Sequence, residues 1–121
     1  MKIQATRNEF LPTWVKRDLL EELWVRNPNY YVKSWSGEPD AGWFSYSMSE
    51  DKTGFCTGDM YFEKVDGQLT IGFENGRHRT RWLMSLGETL IPVGLEDHHY
   101  KKALSIGLAV SRVMPDERLN A

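Results

Sequence analysis

Leu69-Thr70-Ile71-Gly72-Phe73-Glu74-Asn75-Gly76-Arg77-His78-Arg79 is a stretch that runs from apolar to cationic through a single Asn-Gly step. Its first half has the apolar, β-branched and aromatic content of a strand; its second half has the makings of a turn and a helix start. Just upstream, Met60-Tyr61-Phe62-Glu63-Lys64-Val65 is a second strand-like run, and only Asp66-Gly67 separates the two. Asp-Gly suits a two-residue hairpin turn in which both positions take positive φ. The pattern predicts an antiparallel hairpin whose second strand runs straight into residues 74–79. Downstream, a helix from Arg79 to Leu86 is predicted to stop at Gly87, which tolerates the left-handed conformation that ends helices. Thr89 to Leu95 then reads as a strand. Pro92, lacking an N–H, predicts an edge position or a bulge there.

Towards the N-terminus, residues 2–6 read as a short strand. Val15, Leu19, Leu20, Leu23 and Trp24 recur at helical spacing, with Lys16, Arg17, Glu21 and Glu22 between them. This predicts a helix over 13–26, capped by the Thr13 hydroxyl and stopped by Asn27-Pro28-Asn29. Tyr30 to Trp35 is a predicted strand. From Trp43 to Ser49 the chain alternates, with Phe44, Tyr46 and Met48 on one side, predicting a half-buried strand before a polar turn at 50–54. Towards the C-terminus, Asp97 is predicted to cap a last helix with Tyr100, Ala103, Leu104, Leu108 and Val110 on its apolar face. Trp82 reads as a core residue; Trp14, Trp24, Trp35 and Trp43 are too dispersed for a base-stacking platform and most of them read as core, and Cys56 reads as a small buried hydrophobe.

The expected architecture is a single α/β (α+β) domain over 1–121, a small mixed sheet with flanking helices, with 115–121 a loose tail. The chain has 121 residues, 40% hydrophobic and 12% aromatic, enough for a core and too aromatic for a disordered chain. Its 15 basic and 17 acidic side chains nearly cancel, so any attraction for phosphate has to be local. A single cysteine excludes an intramolecular disulfide and a CxxC zinc cluster. Met1-Lys2-Ile3-Gln4-Ala5-Thr6-Arg7 has no apolar signal-peptide run, and no stretch approaches the roughly 20 apolar residues that span a bilayer. A cytoplasmic protein without membrane insertion is the expectation.

The chemistry concentrates in Glu74-Asn75-Gly76-Arg77-His78-Arg79. A glycine corner at a helix start brings unpaired amides and the positive end of the helix dipole to one place, which favours an anion. Arginine's planar fork suits phosphate, and histidine can donate to an oxygen or move a proton near neutral pH. Asn75, Gly76, Arg77, His78 and Arg79 are thus candidate phosphate ligands. Glu74 and His78 are the candidate catalytic pair, Glu74 to orient a water or assist a metal. The bland alternative is that these side chains are solvated or paired with Glu74. Arg81, about 200° around the helix from Arg79, is expected to face elsewhere, as a solvated residue or a contact to a backbone phosphate. His98-His99 diverge by about 100° on a helix and read as surface residues, so no metal site is assigned. Asp59 would approach the box only if its strand neighbours residues 69–73.

Tyr61 to Leu95 resembles the core of the ParB/sulfiredoxin superfamily: a hairpin strand (Leu69-Thr70-Ile71-Gly72-Phe73), a box (Asn75-Gly76-Arg77-His78-Arg79), a helix ending in Leu-Gly (Trp82-Leu83-Met84-Ser85-Leu86-Gly87) and a short Leu90-Ile91-Pro92-Val93 strand. In that family the box binds nucleotide phosphates, which implies that role for Gly76, His78 and Arg79, with ATP and Mg²⁺ as the cofactors to test. Sulfiredoxins carry their catalytic cysteine at the position of Arg77, so the chain is not a sulfiredoxin. Partition ParB proteins continue into a helix-turn-helix, for which the residues after Leu95 are too few. Where many stand-alone relatives have Asp, this chain has Asn75. The run 75–83 is similar in particular to plasmid fertility-inhibition proteins, which block DNA export from the cell that carries them; some relatives show ATPase or DNase activity. The resemblance implies a plasmid- or phage-encoded factor that interferes with conjugative DNA transfer. Its partners would be a nucleotide or DNA phosphate and a DNA-transfer or type IV secretion component. The alternative is a ParB-like nuclease or ATPase that hydrolyses phosphate ester or anhydride bonds.

Overall fold

The computed structural model describes residues 1–44 and 54–120. Chain order is β1 (Ile3–Gln4), β2 (Leu11–Lys16), α1 (Arg17–Trp24), a 3-10 turn (Ala41–Phe44), β3 (Phe55–Cys56), β4 (Asp59–Val65), β5 (Gln68–Asn75), α2 (Arg77–Ser85), β6 (Leu90–Leu95), α3 (Asp97–Ser105) and β7 (Ala109–Arg112). Five strands form the main sheet in the order β5-β4-β6-β2-β7, while β1 and β3 pair in parallel as a separate ribbon. In the main sheet all neighbours are antiparallel except β4 and β6, which meet in parallel at Asp59↔Gly94. The result is the mixed α+β domain that the sequence predicts.

The hairpin forms as read, with φ of 52° at Asp66 and 77° at Gly67. Its first departure lies at its open end. Counting back from the turn would set Asp59 opposite Glu74, but a bulge between Asp59 and Met60 moves Asp59 opposite Asn75. A bulge bends its strand and redirects side chains locally. Here it brings a carboxylate to the foot of the box.

The N-terminal helix is half the predicted one. Residues 11–16 are a strand held between β6 and β7, and α1 starts only at Arg17. Thr13 caps nothing: it is buried, donates its hydroxyl to the Leu11 carbonyl, and accepts from Arg112. Val15 belongs to the alternating strand pattern with Thr13, both at 0% exposure, rather than to the helical face of Leu20, Leu23 and Trp24. That face packs on β5, with the Trp24 and Phe73 rings 5.0 Å apart. Each such aliphatic burial contributes about 2 kcal/mol. Pairing with two distant strands overrides the local 3.6-residue period.

Other expectations change too. Tyr30–Trp35 is not a strand but an irregular segment along α1 and α2. Trp43 and Phe44 lie in the 3-10 turn; the rest of the alternating run, Tyr46 and Met48 included, and the turn through residue 53 lie outside the described residues. β6 is interior, and Pro92 is tolerated because β4 joins β6 only at Gly94, whose amide donates to Gly58 at 2.7 Å. Asp97 opens α3 rather than capping it, and the helix ends at Ser105, leaving Leu108 buried beyond it and Val110 exposed on β7. The 115–120 segment is pinned rather than loose: Lys2 bridges Arg118, the Leu119 amide donates to Met1, and the Leu119 side chain is buried.

Asn27, predicted as a helix stop, is a fully buried tie. Its Nδ2 donates to Glu63, Thr70 and the Ile71 carbonyl, and its Oδ1 accepts the Asn29 amide. Substituting Asn27→Ala strands these β4 and β5 acceptors and should cost about 2 kcal/mol, read as a lower urea midpoint at unchanged slope.

Candidate functional site

The strand-to-helix corner is built as the sequence predicts. β5 ends at Asn75, Gly76 takes φ 86°, and α2 begins at Arg77. The Gly76 carbonyl accepts both the Thr80 amide (3.0 Å) and the Thr80 hydroxyl (2.8 Å), which fixes the first turn. At this start lies a cleft of about 600 Å³ lined by Asn29, Tyr30, Phe73, Glu74, Asn75, Gly76, Arg77 and His78. The positive dipole end of α2 therefore lies at a cleft that a cationic and an imidazole side chain also line.

Five of the six predicted residues line this cleft; the sixth, Arg79, does not. It turns inward and is buried, its Nη2 donating to the Thr57 carbonyl at 2.9 Å and to Asn75 Oδ1. One turn of helix separates residue 75 from 79, so the guanidinium reaches back under the corner it was expected to crown. Arg77 stays at the rim, where Nη1 donates to the Asn29 carbonyl at 3.0 Å and ties the 27–30 segment to the cleft wall. His78 is exposed, with its ring edge against Trp35, 6.2 Å between centroids.

Beneath the cleft runs a polar network that the sequence did not reveal. Asp59 is fully buried. Its Oδ1 accepts from the Thr6 hydroxyl (2.8 Å); its Oδ2 accepts from Arg7 Nε (3.1 Å) and from Asn75 Nδ2 (2.7 Å). Arg7 also pairs with Glu74. The Glu74 carboxylate holds the Arg7 guanidinium above its ordinary pKa, against a smaller opposing effect of burial and with further help from Asp59. Counting back from the Asp66-Gly67 turn could have found Asp59. Nothing local marks Thr6 and Arg7, which arrive from the far end of the chain. Both oxygens of Asp59 are engaged and Glu74 is neutralised by Arg7, so a Mg²⁺ ion here would have to displace a guanidinium. The carboxylates do not fit a magnesium site.

The remaining predictions divide. Arg81 is neither solvated nor set to meet a phosphate. It is buried, pairs with Glu21 at 2.7 Å, donates to the Val32 carbonyl and lies 4.6 Å over the Trp24 ring. Trp82 and Cys56 are buried as expected. Trp35 and Trp43 are half-buried and not dispersed: their rings pair at 4.9 Å, and Trp43 continues to Trp82 at 6.1 Å, making an aromatic row from His78 into the core. His98 and His99 do not diverge; their ring centroids are 4.0 Å apart. Among the described residues no helix is long and apolar enough to cross a membrane.

No family model matches the sequence, and no curated protein matches it. Among solved structures the fold is similar to that of the Oncogenic Suppression Activity Protein, described as a plasmid fertility inhibition factor, in a gold(I) cyanide derivative. The TM-score is 0.59 at 14% sequence identity, over 88% of this chain and 60% of that one. The chain thus spans about three fifths of that protein's length. At this identity the likeness is one of fold: the strand, corner and helix that carry the cleft sit within an architecture also found in a plasmid fertility inhibition factor.

Proposed function

We propose that this chain is a fertility-inhibition-type factor, of plasmid or phage origin and of ParB/sulfiredoxin-like ancestry, that interferes with conjugative DNA transfer. It would bind a nucleotide or DNA phosphate at the start of α2. The observation that carries the phosphate assignment is the left-handed Gly76 corner at the start of α2, which lines one cleft together with Asn75, Arg77 and His78. The fold likeness to a plasmid fertility inhibition factor supports the biological setting. In this reading the amides after Gly76 hold the phosphate oxygens, Arg77 supplies charge, His78 donates a hydrogen bond, and Arg79 keeps the corner in shape from below. The half-buried Trp35 edge beside His78 gives a base or sugar an apolar rest. The expected setting is the cytoplasm, with a DNA-transfer or secretion component as the target.

The test has two arms. Expression of the protein in a donor cell should lower plasmid transfer frequency. In vitro, Arg77→Ala should weaken binding of a labelled single-stranded oligonucleotide or of ATP about tenfold, since a charge-assisted phosphate contact is worth about 1.5–3 kcal/mol. Unchanged transfer together with affinity unmoved by Arg77→Ala would sink the reading.

A hydrolase is the second reading, favoured by one observation: Glu74 and His78 line the same cleft. It requires turnover of ATP or DNA that both Glu74→Gln and His78→Ala remove. The Arg7 pairing of Glu74 weighs against it.

A further inference from the structure

We propose that Glu96, His98 and His99 form a binding site for a divalent transition-metal ion of the zinc type at the junction of β6 and α3. One ligand atom from each residue lies within 4.8 Å of the other two. A tetrahedral zinc ion, with bonds of about 2.0–2.2 Å, holds its ligand atoms about 3.3–3.5 Å apart, so side-chain rotation of about 1 Å closes the set. Adjacent histidines inside a helix diverge, but these two occupy its first turn with their rings 4.0 Å apart. Glu96 precedes the helix with extended backbone (ψ 157°), so its carboxylate is not bound to helical spacing.

The donors decide the metal. Two imidazoles and one carboxylate suit Zn²⁺ and its transition-metal neighbours, whereas Mg²⁺ and Ca²⁺ prefer oxygen alone. Three protein ligands leave the fourth tetrahedral position to water or to a side chain of a bound partner. None of the three residues lines the phosphate cleft, and Asp97 between them is engaged with Arg112 at 2.9 Å.

His99 couples the site to the main sheet. Its ring packs on Phe62 of β4, 5.8 Å between centroids, and its Nδ1 lies 3.5 Å from the Phe62 amide. Ligation through either ring nitrogen gives up that long contact. At Nδ1 the metal takes the lone pair; at Nε2 the neutral ring has to carry its proton on Nδ1. The Phe62 amide is therefore a built-in reporter of occupancy. His98 is exposed and can be changed without disturbing the core.

Titration of the full chain with zinc chloride, followed by calorimetry and by the Phe62 amide resonance, tests the site. The expected result is one zinc per chain with a shifted Phe62 resonance, and neither effect from magnesium chloride at the same concentration. His98→Ala should weaken zinc binding at least about tenfold, because removing a ligand exceeds the 10–100-fold loss from removing a ligand's supporting partner. His78→Ala should leave zinc affinity unchanged. Absence of one-to-one binding, or binding that survives His98→Ala, overturns the proposal.

Discussion

Replacing Asp59 by alanine should destabilise the protein by about 3 kcal/mol, far more than any change at the exposed acid beside it. The reason is the number of donors left behind. Thr6 and Asn75 both lose the acceptor that satisfies them, and Arg7 loses one of its two carboxylates. The Thr6 hydroxyl is itself buried, so water cannot replace the carboxylate without opening the corner. Asp59→Asn keeps the shape and one acceptor oxygen for Arg7 and Asn75, while its amide can donate to the Thr6 hydroxyl; it should cost only about 1 kcal/mol. Glu74→Ala removes a pair whose carboxylate side chain is 46% exposed and should cost under about 0.5 kcal/mol. Urea midpoints of the three variants measure the series. Equal losses for Asp59→Ala and Glu74→Ala would mean that the buried network does not hold the corner. Because Asn75 is one of the donors, Asp59→Ala should also weaken phosphate binding in whatever fraction remains folded, without touching the ligand.

How far the sequence could be read follows from the distance over which each feature is decided. The hairpin, the Gly76 corner and α2 were legible because turn residues and strand composition within about twenty positions decide them. The larger failures are non-local. Residues 11–16 carry an apolar period that continues into α1, and only pairing with β6 and β7 makes them a strand. β7 went unseen because Leu108 and Val110 extend the spacing of α3, although Gly107, with φ 79°, breaks it. At the candidate site the sequence places the residues on one corner but does not give the direction of each side chain. Arg77 and Arg79 look interchangeable in sequence, yet one tethers Asn29 at the rim and the other fills the space beneath Asn75. What separates them is the backbone of Thr57, an acceptor contributed by the short link between β3 and β4. Residue type assigns the buried Trp24 and Trp82 to the core, but Trp14, Trp35 and Trp43 are only partly buried, and the pairing of Trp35 with Trp43 beside His78 depends on how an irregular segment crosses α2.

Gly76→Ala should be the most damaging of the glycine-to-alanine changes, and a second glycine flanking the same helix supplies the control. Gly76 and Gly87 flank α2 with nearly the same φ, 86° and 85°. A side chain in that region costs about 1 kcal/mol in backbone strain alone. At Gly87 an added Cβ meets nothing within 4 Å, so strain is the whole effect. At Gly76 the same atom would stand 2.5 Å from the Cα of Gly58 and 2.8 Å from the guanidinium of Arg79. Gly58 is backbone and cannot swing aside, and Arg79 is held by Thr57 and Asn75; overpacking of this kind adds about 1–3 kcal/mol. Gly76→Ala should therefore lose about 3 kcal/mol against about 1 kcal/mol for Gly87→Ala, with the difference measuring contact rather than conformation. Phosphate affinity should divide in the same way. Gly87→Ala, at the far end of the helix, leaves the first-turn amides in place and should bind as the parent does. Gly76→Ala pushes those amides away from Gly58 and should weaken binding about tenfold or more even where circular dichroism shows a folded protein, because a misplaced donor loses most of a charge-assisted hydrogen bond worth about 1.5–3 kcal/mol. Parent-like affinity in a folded Gly76→Ala variant would place the anion somewhere other than the start of α2.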